Sequence, residues 1–169
     1  MRSTVIIISF LVAATSLKAE VVLNFGDPED FTDFEYAQTR RTIQPEFFSK
    51  NILGRLEKAV EKSLPDGVVL TLNFKDIDLA GRFEPWQRIP LNDVRMLKSR
   101  YPPSAEFSYR LVDENGKVLA EGDQTLKDLG YQDRYTRRTR ATDPFYYEWR
   151  MLESWIKFKL LKEVEKNED

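Results

Sequence analysis

The segment from Asp143 to about Glu165 constrains the fold most, because large apolar side chains cover most of its surface at helical spacing. Asp143 and Pro144 are typical of a helix start, as the N-cap and the first helical residue. The polar side chains form only a narrow strip around Arg150 and Lys157. We expect such a helix to be mostly buried, so the rest of the chain must cover it. The helix has two apolar stripes. The first contains Phe145, Trp149, Leu152, Ile156 and Leu160, and the second contains Tyr147, Met151, Trp155 and Phe158.

Alternating apolar and polar residues predict the strands of the covering surface. The pattern runs through residues 21–25, 70–74 and 107–111, and residues 94–98 predict a further short strand. The Asn-Gly pair at residues 115–116 is preferred in two-residue type I′ hairpin turns. Such a turn pairs Glu114 with Lys117, Arg110 with Glu121 and Leu111 with Ala120.

The second strand changes its pattern after Phe74. Asp76 and Asp78 fall on the phase that was apolar, and Ile77 falls on the phase that was polar. A regular strand would push two carboxylates into the core, which is costly unless they are paired or bind a cation. One extra residue near Lys75 exchanges the two faces, so we predict a β-bulge at this point.

An amphipathic helix over residues 45–64 joins the first two strands, and the Pro-Asp-Gly sequence at residues 65–67 ends it. The element order is therefore β-α-β-(β)-β-β-α. This order predicts an α+β fold with an antiparallel or mixed sheet of four to five strands and two helices packed on one face. The apolar face of the first helix contains Phe48, Ile52, Leu56, Ala59 and Val60.

Residues 1–19 have the plan of a secretory signal peptide. Arg2 precedes an apolar run over residues 5–14, and Leu17 and Ala19 occupy the positions that a signal peptidase reads. The run is too short for a spanning helix, which needs about 20 residues, and the remaining chain has no longer one. We predict a signal peptide over residues 1–19, a single α+β domain over 20–169 without a transmembrane segment, and a periplasmic or secreted location. An uncleaved anchor is the alternative.

The composition excludes several chemistries. The chain has no His and no Cys, which removes the commonest general base, thiol nucleophiles and the zinc sites built on those ligands. It contains no phosphate-binding glycine motif and no nucleophile elbow. A net charge of −2 does not fit a nucleic-acid-binding protein. No cofactor is predicted, and catalysis would depend on carboxylates, Tyr, Lys or Arg, so we favour a protein that is not an enzyme.

Asp76 and Asp78 are the best candidate carboxylate pair, with Arg82 close by in sequence. They would act as ligands of a hard cation such as calcium, or as the acid and base of a hydrolase. The alternative is structural: the two carboxylates cap turns and pair with Arg82 or Arg88.

Two further features are candidate binding residues. A cluster of four arginines within seven residues would dock phosphate or carboxylate groups of an envelope protein, an anionic lipid or a glycan. A solvated loop, or pairing with the acidic residues 27–35, is the alternative. Trp86 is predicted to lie in a loop, either as a contact site or as a lid over the core. The arginine cluster contains Arg134, Arg137, Arg138 and Arg140.

A set of short runs, taken together, resembles the bacterial family of proteins of unknown function numbered 3016. The resemblance covers nearly the whole chain after residue 19, and DIDLAGR is its most specific part. It implies small exported proteins of Gram-negative bacteria without an assigned activity, and it brings no catalytic residues. The runs are NFGDPE at 24–29, FTD at 31–33, DIDLAGR at 76–82, VR at 94–95, YPP at 101–103, the hairpin ending at Gly122, and YE at 147–148 ahead of ML at 151–152.

Three functions remain open. The first is a non-enzymatic binding or interaction module of the cell envelope, which uses the arginine cluster and the loop of Trp86. The second is a carboxylate-based hydrolase or cation-binding protein that uses Asp76 and Asp78. The third is a structural envelope protein whose last helix mediates oligomerisation. We favour the first, because a catalytic set is missing and the charge is unevenly distributed along the chain.

Overall fold

The computed structural model describes residues 18–36, 41–84, 86, 94–133 and 143–168. The predicted signal peptide therefore lies almost entirely outside the described residues. The elements in chain order are β1 (Glu20–Phe25), α1 (Pro45–Ser63), β2 (Val69–Asp78), β3 (Arg82–Phe83), β4 (Arg95–Met96), β5 (Ser104–Val112), β6 (Val118–Lys127), α2 (Tyr146–Trp155), a π-helical turn (Ile156–Leu160) and α3 (Leu161–Glu168).

The predicted α+β fold is confirmed. A four-stranded mixed sheet has the order β1-β2-β5-β6, in which β1 runs parallel to β2 and the other neighbours are antiparallel. Helix α1 and the C-terminal helical segment contact each other and the sheet, and the core lies between these two layers. The short strand predicted at residues 94–98 is β4, but it pairs with β3 in a separate two-stranded sheet.

The predicted bulge in β2 is confirmed, because the register against β5 shifts between Phe74 and Asp76. Before the bulge, Leu70, Leu72 and Phe74 face the core, and after it the buried residue is Ile77. Asp76 and Asp78 are thereby turned away from the core.

The predicted helix over residues 45–64 is also confirmed, and all five residues of its apolar face are buried. Phe48 lies at the centre of the core that this face forms. Its ring contacts Phe145 edge to face at 4.7 Å, Phe34 at 5.3 Å and Phe25 at 6.0 Å. One side chain thus joins α1 to β1, to the loop before α1 and to the start of the C-terminal helix.

The C-terminal helix differs from its prediction at both ends. It begins at Tyr146, with Phe145 as the N-cap residue, so the helix start predicted at Asp143 and Pro144 is wrong. The carboxylate of Asp143 is drawn into an internal ion pair with Arg55, and the chain enters the helix two residues later. At the other end the helix continues to Glu168 instead of about Glu165.

The predicted apolar stripe also fails at Phe158, whose surface is 66 % exposed. Phe158 lies inside the π-helical turn, whose wider winding offsets its residues from the phase of a regular α-helix. Leu160, the last residue of the turn, and Val164 in α3 face the core, and Phe158 faces away from it.

The hairpin register is as predicted for Arg110 with Glu121 and Leu111 with Ala120. The pairing of Glu114 with Lys117 is wrong. Asp113 holds a longer turn, because its carboxylate accepts hydrogen bonds from the backbone N–H groups of Asn115 and Lys117, both at 2.8 Å. Gly116, with φ of 79°, closes that turn.

Candidate functional site

The two candidate carboxylates are engaged in structural contacts. Asp76 accepts hydrogen bonds from the backbone N–H of Thr32 at 2.6 Å and from its hydroxyl at 2.8 Å. Asp78 lies 3.8 Å from the guanidinium of Arg82. Burial raises the pKa of Asp78, and the charge of Arg82 opposes that rise. These contacts match the structural alternative, and within the described part of the chain no group of three or more carboxylates is placed to hold a metal ion.

Trp86 is exposed over 69 % of its surface, so it does not fold over the core as a lid. The chain just before it is anchored by Glu84, which is fully buried. Lys98 donates to both carboxylate oxygens of Glu84, at 2.7 and 2.6 Å, and Tyr101 donates to one of them at 3.0 Å. Two predictions fall outside the described residues. They concern Arg88, the alternative partner of the carboxylates, and the arginine cluster of Arg134, Arg137, Arg138 and Arg140.

A cleft of about 390 Å³ lies where the first turn of the C-terminal helix meets the end of β2 and strand β4. The predicted residues Asp76, Asp78, Arg82 and Trp86 do not line it. The chain next to two lining residues lies outside the described residues: residues 37–40 follow Tyr36, and residues 134–142 precede Asp143. The aromatic lining consists of Tyr36, Phe47, Phe145, Tyr146 and Tyr147, and the charged lining of Glu35, Arg95, Asp143 and Glu148.

The aromatic side chains of the cleft, here called the aromatic wall, form two groups of rings in contact. Phe47 contacts Tyr36 at 5.5 Å and Phe145 at 5.8 Å between ring centroids. Tyr146 and Tyr147 contact each other edge to face at 5.3 Å. The contacts of Phe47 with Phe145 and of Tyr146 with Tyr147 are edge to face, a geometry that favours defined ring orientations.

Glu148 is the most unusual group of the cleft, because it is a carboxyl group with only 4 % of its surface exposed. The backbone N–H of Ala80 donates to its Oε1 at 2.7 Å. Burial raises the pKa of Glu148 to about 7, although the N–H of Ala80 and the charge of Arg95 oppose that rise. Glu148 therefore changes its charge near neutral pH.

Arg95 lines the same cleft, but its donors are already used. Its guanidinium binds both carboxylate oxygens of Asp33, at 3.0 and 2.7 Å, and the carbonyls of Gly81 and Glu35, at 3.0 and 3.2 Å. Backbone hydrogen bonds between Asp33 and the end of β2 hold that carboxylate in place. The positive charge of Arg95 is thus balanced within the protein.

Asp143 is balanced as well. Its carboxylate pairs with Arg55 of α1 and accepts a hydrogen bond from the indole N–H of Trp149 at 2.7 Å. The guanidinium of Arg55 also lies 4.6 Å from the centre of the Trp149 ring. This arrangement fixes the start of the C-terminal helix, and with it the position of Glu148.

Sequence reasoning missed Glu148, although a signal for it exists. Glu148 follows Phe145 by three positions and precedes Leu152 by four, so it lies within the apolar face of the predicted helix. A carboxyl group in that place must be buried, which is the same argument that singled out Asp76 and Asp78. The contribution of Arg95 depends on tertiary pairing that no local pattern reveals.

The fold and the site define a single α+β domain with an aromatic cleft that holds a buried carboxyl group. The chain belongs to the family described as a protein of unknown function (DUF3016), whose model matches residues 19–158. The family resemblance in the sequence is thereby confirmed, and all the cleft residues named above lie within the matched range. No curated protein and no solved structure matches the chain.

Proposed function

We propose that the protein is a non-enzymatic binding module that is exported to the cell envelope and binds its ligand in the aromatic cleft. The observation that carries this proposal is Glu148, a buried carboxyl group at an aromatic cleft. Within the described residues no lysine or arginine forms an ion pair with it. A preformed apolar cleft with a few polar groups, one of them with a shifted pKa, is the usual form of a ligand site.

The arrangement favours binding over catalysis. Arg95 and Asp143 are both tied to partners within the protein, so neither is free to move a proton or hold a reacting group. Hydrolysis by carboxylates uses two carboxyl groups that face one bond, and of the carboxyl groups that line the cleft Asp143 is already paired with Arg55.

Export is supported by the sequence pattern of residues 1–19. The family match begins at residue 19, the last residue of the predicted signal peptide. Within the described residues, no helix combines the length and the apolar character that crossing a membrane requires.

Native mass spectrometry tests ligand binding in the cleft. The purified protein is incubated with a small-molecule extract of cell envelopes, and the bound mass is compared between the wild type and Leu97→Trp, which fills the cleft. Leu129→Trp is the matched control, because Leu129 is 72 % exposed and does not line the cleft. We expect a bound molecule in the wild type and the control, and its loss in Leu97→Trp. Equal binding by all three proteins, or by none, would contradict the proposal.

The exposure of Trp86 favours a second contact surface, for an envelope protein or an anionic lipid or glycan. Arg100 adds positive charge near this loop, because it pairs with Glu84 and its side chain is 58 % exposed. A pull-down from envelope extracts tests this surface with the wild type, Trp86→Ala and a variant with reversed charge at the arginine cluster. Identical retention by all three proteins would reject the surface.

A further inference from the structure

We propose that the ligand of the cleft is an organic cation, a protonated amine whose apolar body packs on the aromatic wall and whose ammonium group pairs with Glu148. The inference rests on the proposed function, because it names the ligand class of the same cleft.

The charges of the cleft determine the sign of its ligand. Arg95 donates four hydrogen bonds to groups of the protein, so its guanidinium has little left to offer an anion. Asp143 is matched by Arg55. Among the described residues Glu148 has no such counter-ion, and a ligand with a positive charge would supply it.

The wall of the cleft also suits a cation with an apolar body. The faces of aromatic rings attract positive charge, and cages of several rings are a common site for ammonium groups. Tyr36 and Phe47 form one side of the cleft, and Tyr146 and Tyr147 lie beside Glu148 in the first turn of α2. A volume of about 390 Å³ has room for a ring system as well as the ammonium group.

The protonation state of Glu148 couples the binding of an amine to pH. Two charged groups of the cleft act on the pKa of Glu148: Asp143, before α2, raises it, and Arg95, in β4, lowers it. Glu35, in the loop before α1, also lines the cleft. The other titratable side chains that line the cleft are those of Tyr36, Tyr146 and Tyr147. An ammonium group needs the ionised carboxylate, so affinity falls as pH falls below about 7, where Glu148 takes up a proton.

A set of three indole compounds tests the inference, since they share a ring system and differ in charge. Tryptamine is a cation, tryptophol is neutral and indole-3-acetate is an anion. Each is titrated into the protein, expressed with its leader and purified as the cell processes it, and binding is followed by the NMR shifts of Ala80 and Tyr147. We expect tryptamine to bind at least about tenfold more tightly than tryptophol at about pH 8, with indole-3-acetate weakest.

The variant Glu148→Gln keeps the size of the side chain and removes its charge. The preference for tryptamine should fall to within about threefold in this variant, and also in the wild type at about pH 5. Glu114→Gln is the control, because Glu114 is exposed in the hairpin turn, and it should keep the full preference.

The outcomes separate the inference from the proposed function. Equal or tighter binding of tryptophol or indole-3-acetate at the cleft would overturn the inference and leave the cleft as a binding site. A preference for tryptamine that survives in Glu148→Gln would also overturn it. If tryptamine shifts no cleft resonance up to its solubility, the inference fails, and the native mass spectrometry of Leu97→Trp decides separately whether the cleft binds any ligand.

Discussion

Four charged residues line one cleft, and for three of them the partners decide what each can do. Arg95 and Asp143 are fixed by Asp33 and Arg55, so they shape the site. Glu148 accepts a backbone hydrogen bond but has no cationic partner among the described residues. Burying an ionised carboxylate in this way costs stability, which proteins tolerate mainly where the group has a function.

Glu148→Gln should change how stability depends on pH. The folded pKa of about 7 is above the ordinary value of 4.5, so the folded state holds the proton more tightly than the unfolded state. The contribution of Glu148 to stability is therefore fully present below about pH 4.5 and is lost as the pH rises to about 7. Relative to the wild type, Glu148→Gln should gain about 3 kcal/mol between about pH 4 and pH 8. Urea unfolding at both pH values measures the gain, and parallel pH profiles would count against a buried carboxyl.

Gly81→Ala should destabilise the protein strongly. Gly81 has φ of 83°, and an added Cβ would lie 2.8 Å from the carbonyl oxygen of Met96 and 2.7 Å from Leu97. The strain and the clash should lower the free energy of unfolding by at least about 2 kcal/mol.

Gly54→Ala is the matched control for this substitution. Gly54 lies within α1, with open space where the Cβ would go, so alanine should stabilise the helix by about 0.5 to 1 kcal/mol. Thermal unfolding of the two variants beside the wild type compares them. Equal effects would show that the backbone at Gly81 is not constrained as described.

At the scale of elements, local patterns predicted β1, α1, β2 with its bulge, and most of the β5–β6 hairpin. They failed where a side chain competes with the local rule. The turn is longer than predicted because Asp113 accepts two backbone hydrogen bonds. Asp143 pairs with Arg55 and is not the N-cap of the helix. The π-helical turn is a third case, because a change of winding within a helix has no composition signal of its own.

The π-helical turn can be tested by two substitutions with opposite expectations. Leu160 is fully buried, so Leu160→Ala should cost about 2 to 5 kcal/mol. Phe158 is 66 % exposed, so Phe158→Ala should change stability by less than about 0.5 kcal/mol. Chemical denaturation measures both. A large loss in Phe158→Ala would mean that the helix keeps its regular phase and buries this side chain.

At the scale of the whole molecule, the element order and the alternation of the strands sufficed to predict the layered α+β fold. They could not predict the cleft, because its lining comes from segments far apart in sequence. Glu35, Ala80, Arg95 and Glu148 meet only after the sheet and the helices have packed. Residues 76–82, the best candidates from sequence, bring Ala80 to the cleft but leave Asp76 and Asp78 outside it.

Export is a property of the whole chain and has its own test. Removal of residues 1–19 should leave a protein that begins at Glu20, the first residue of β1. The intact mass of the protein from the periplasmic fraction or the medium should show this start. An intact Met1 on protein from the cytosolic fraction would contradict export.

The central claim is that Glu148 is a buried carboxyl group that binds a positively charged ligand. Carbon-13 NMR of its side-chain carboxyl group across a pH titration tests the claim most directly. We predict a pKa of about 7 in the free protein, a lower value when tryptamine is bound, and no lowering with tryptophol. A pKa near the ordinary 4.5, or one that tryptamine leaves unchanged, would contradict the claim.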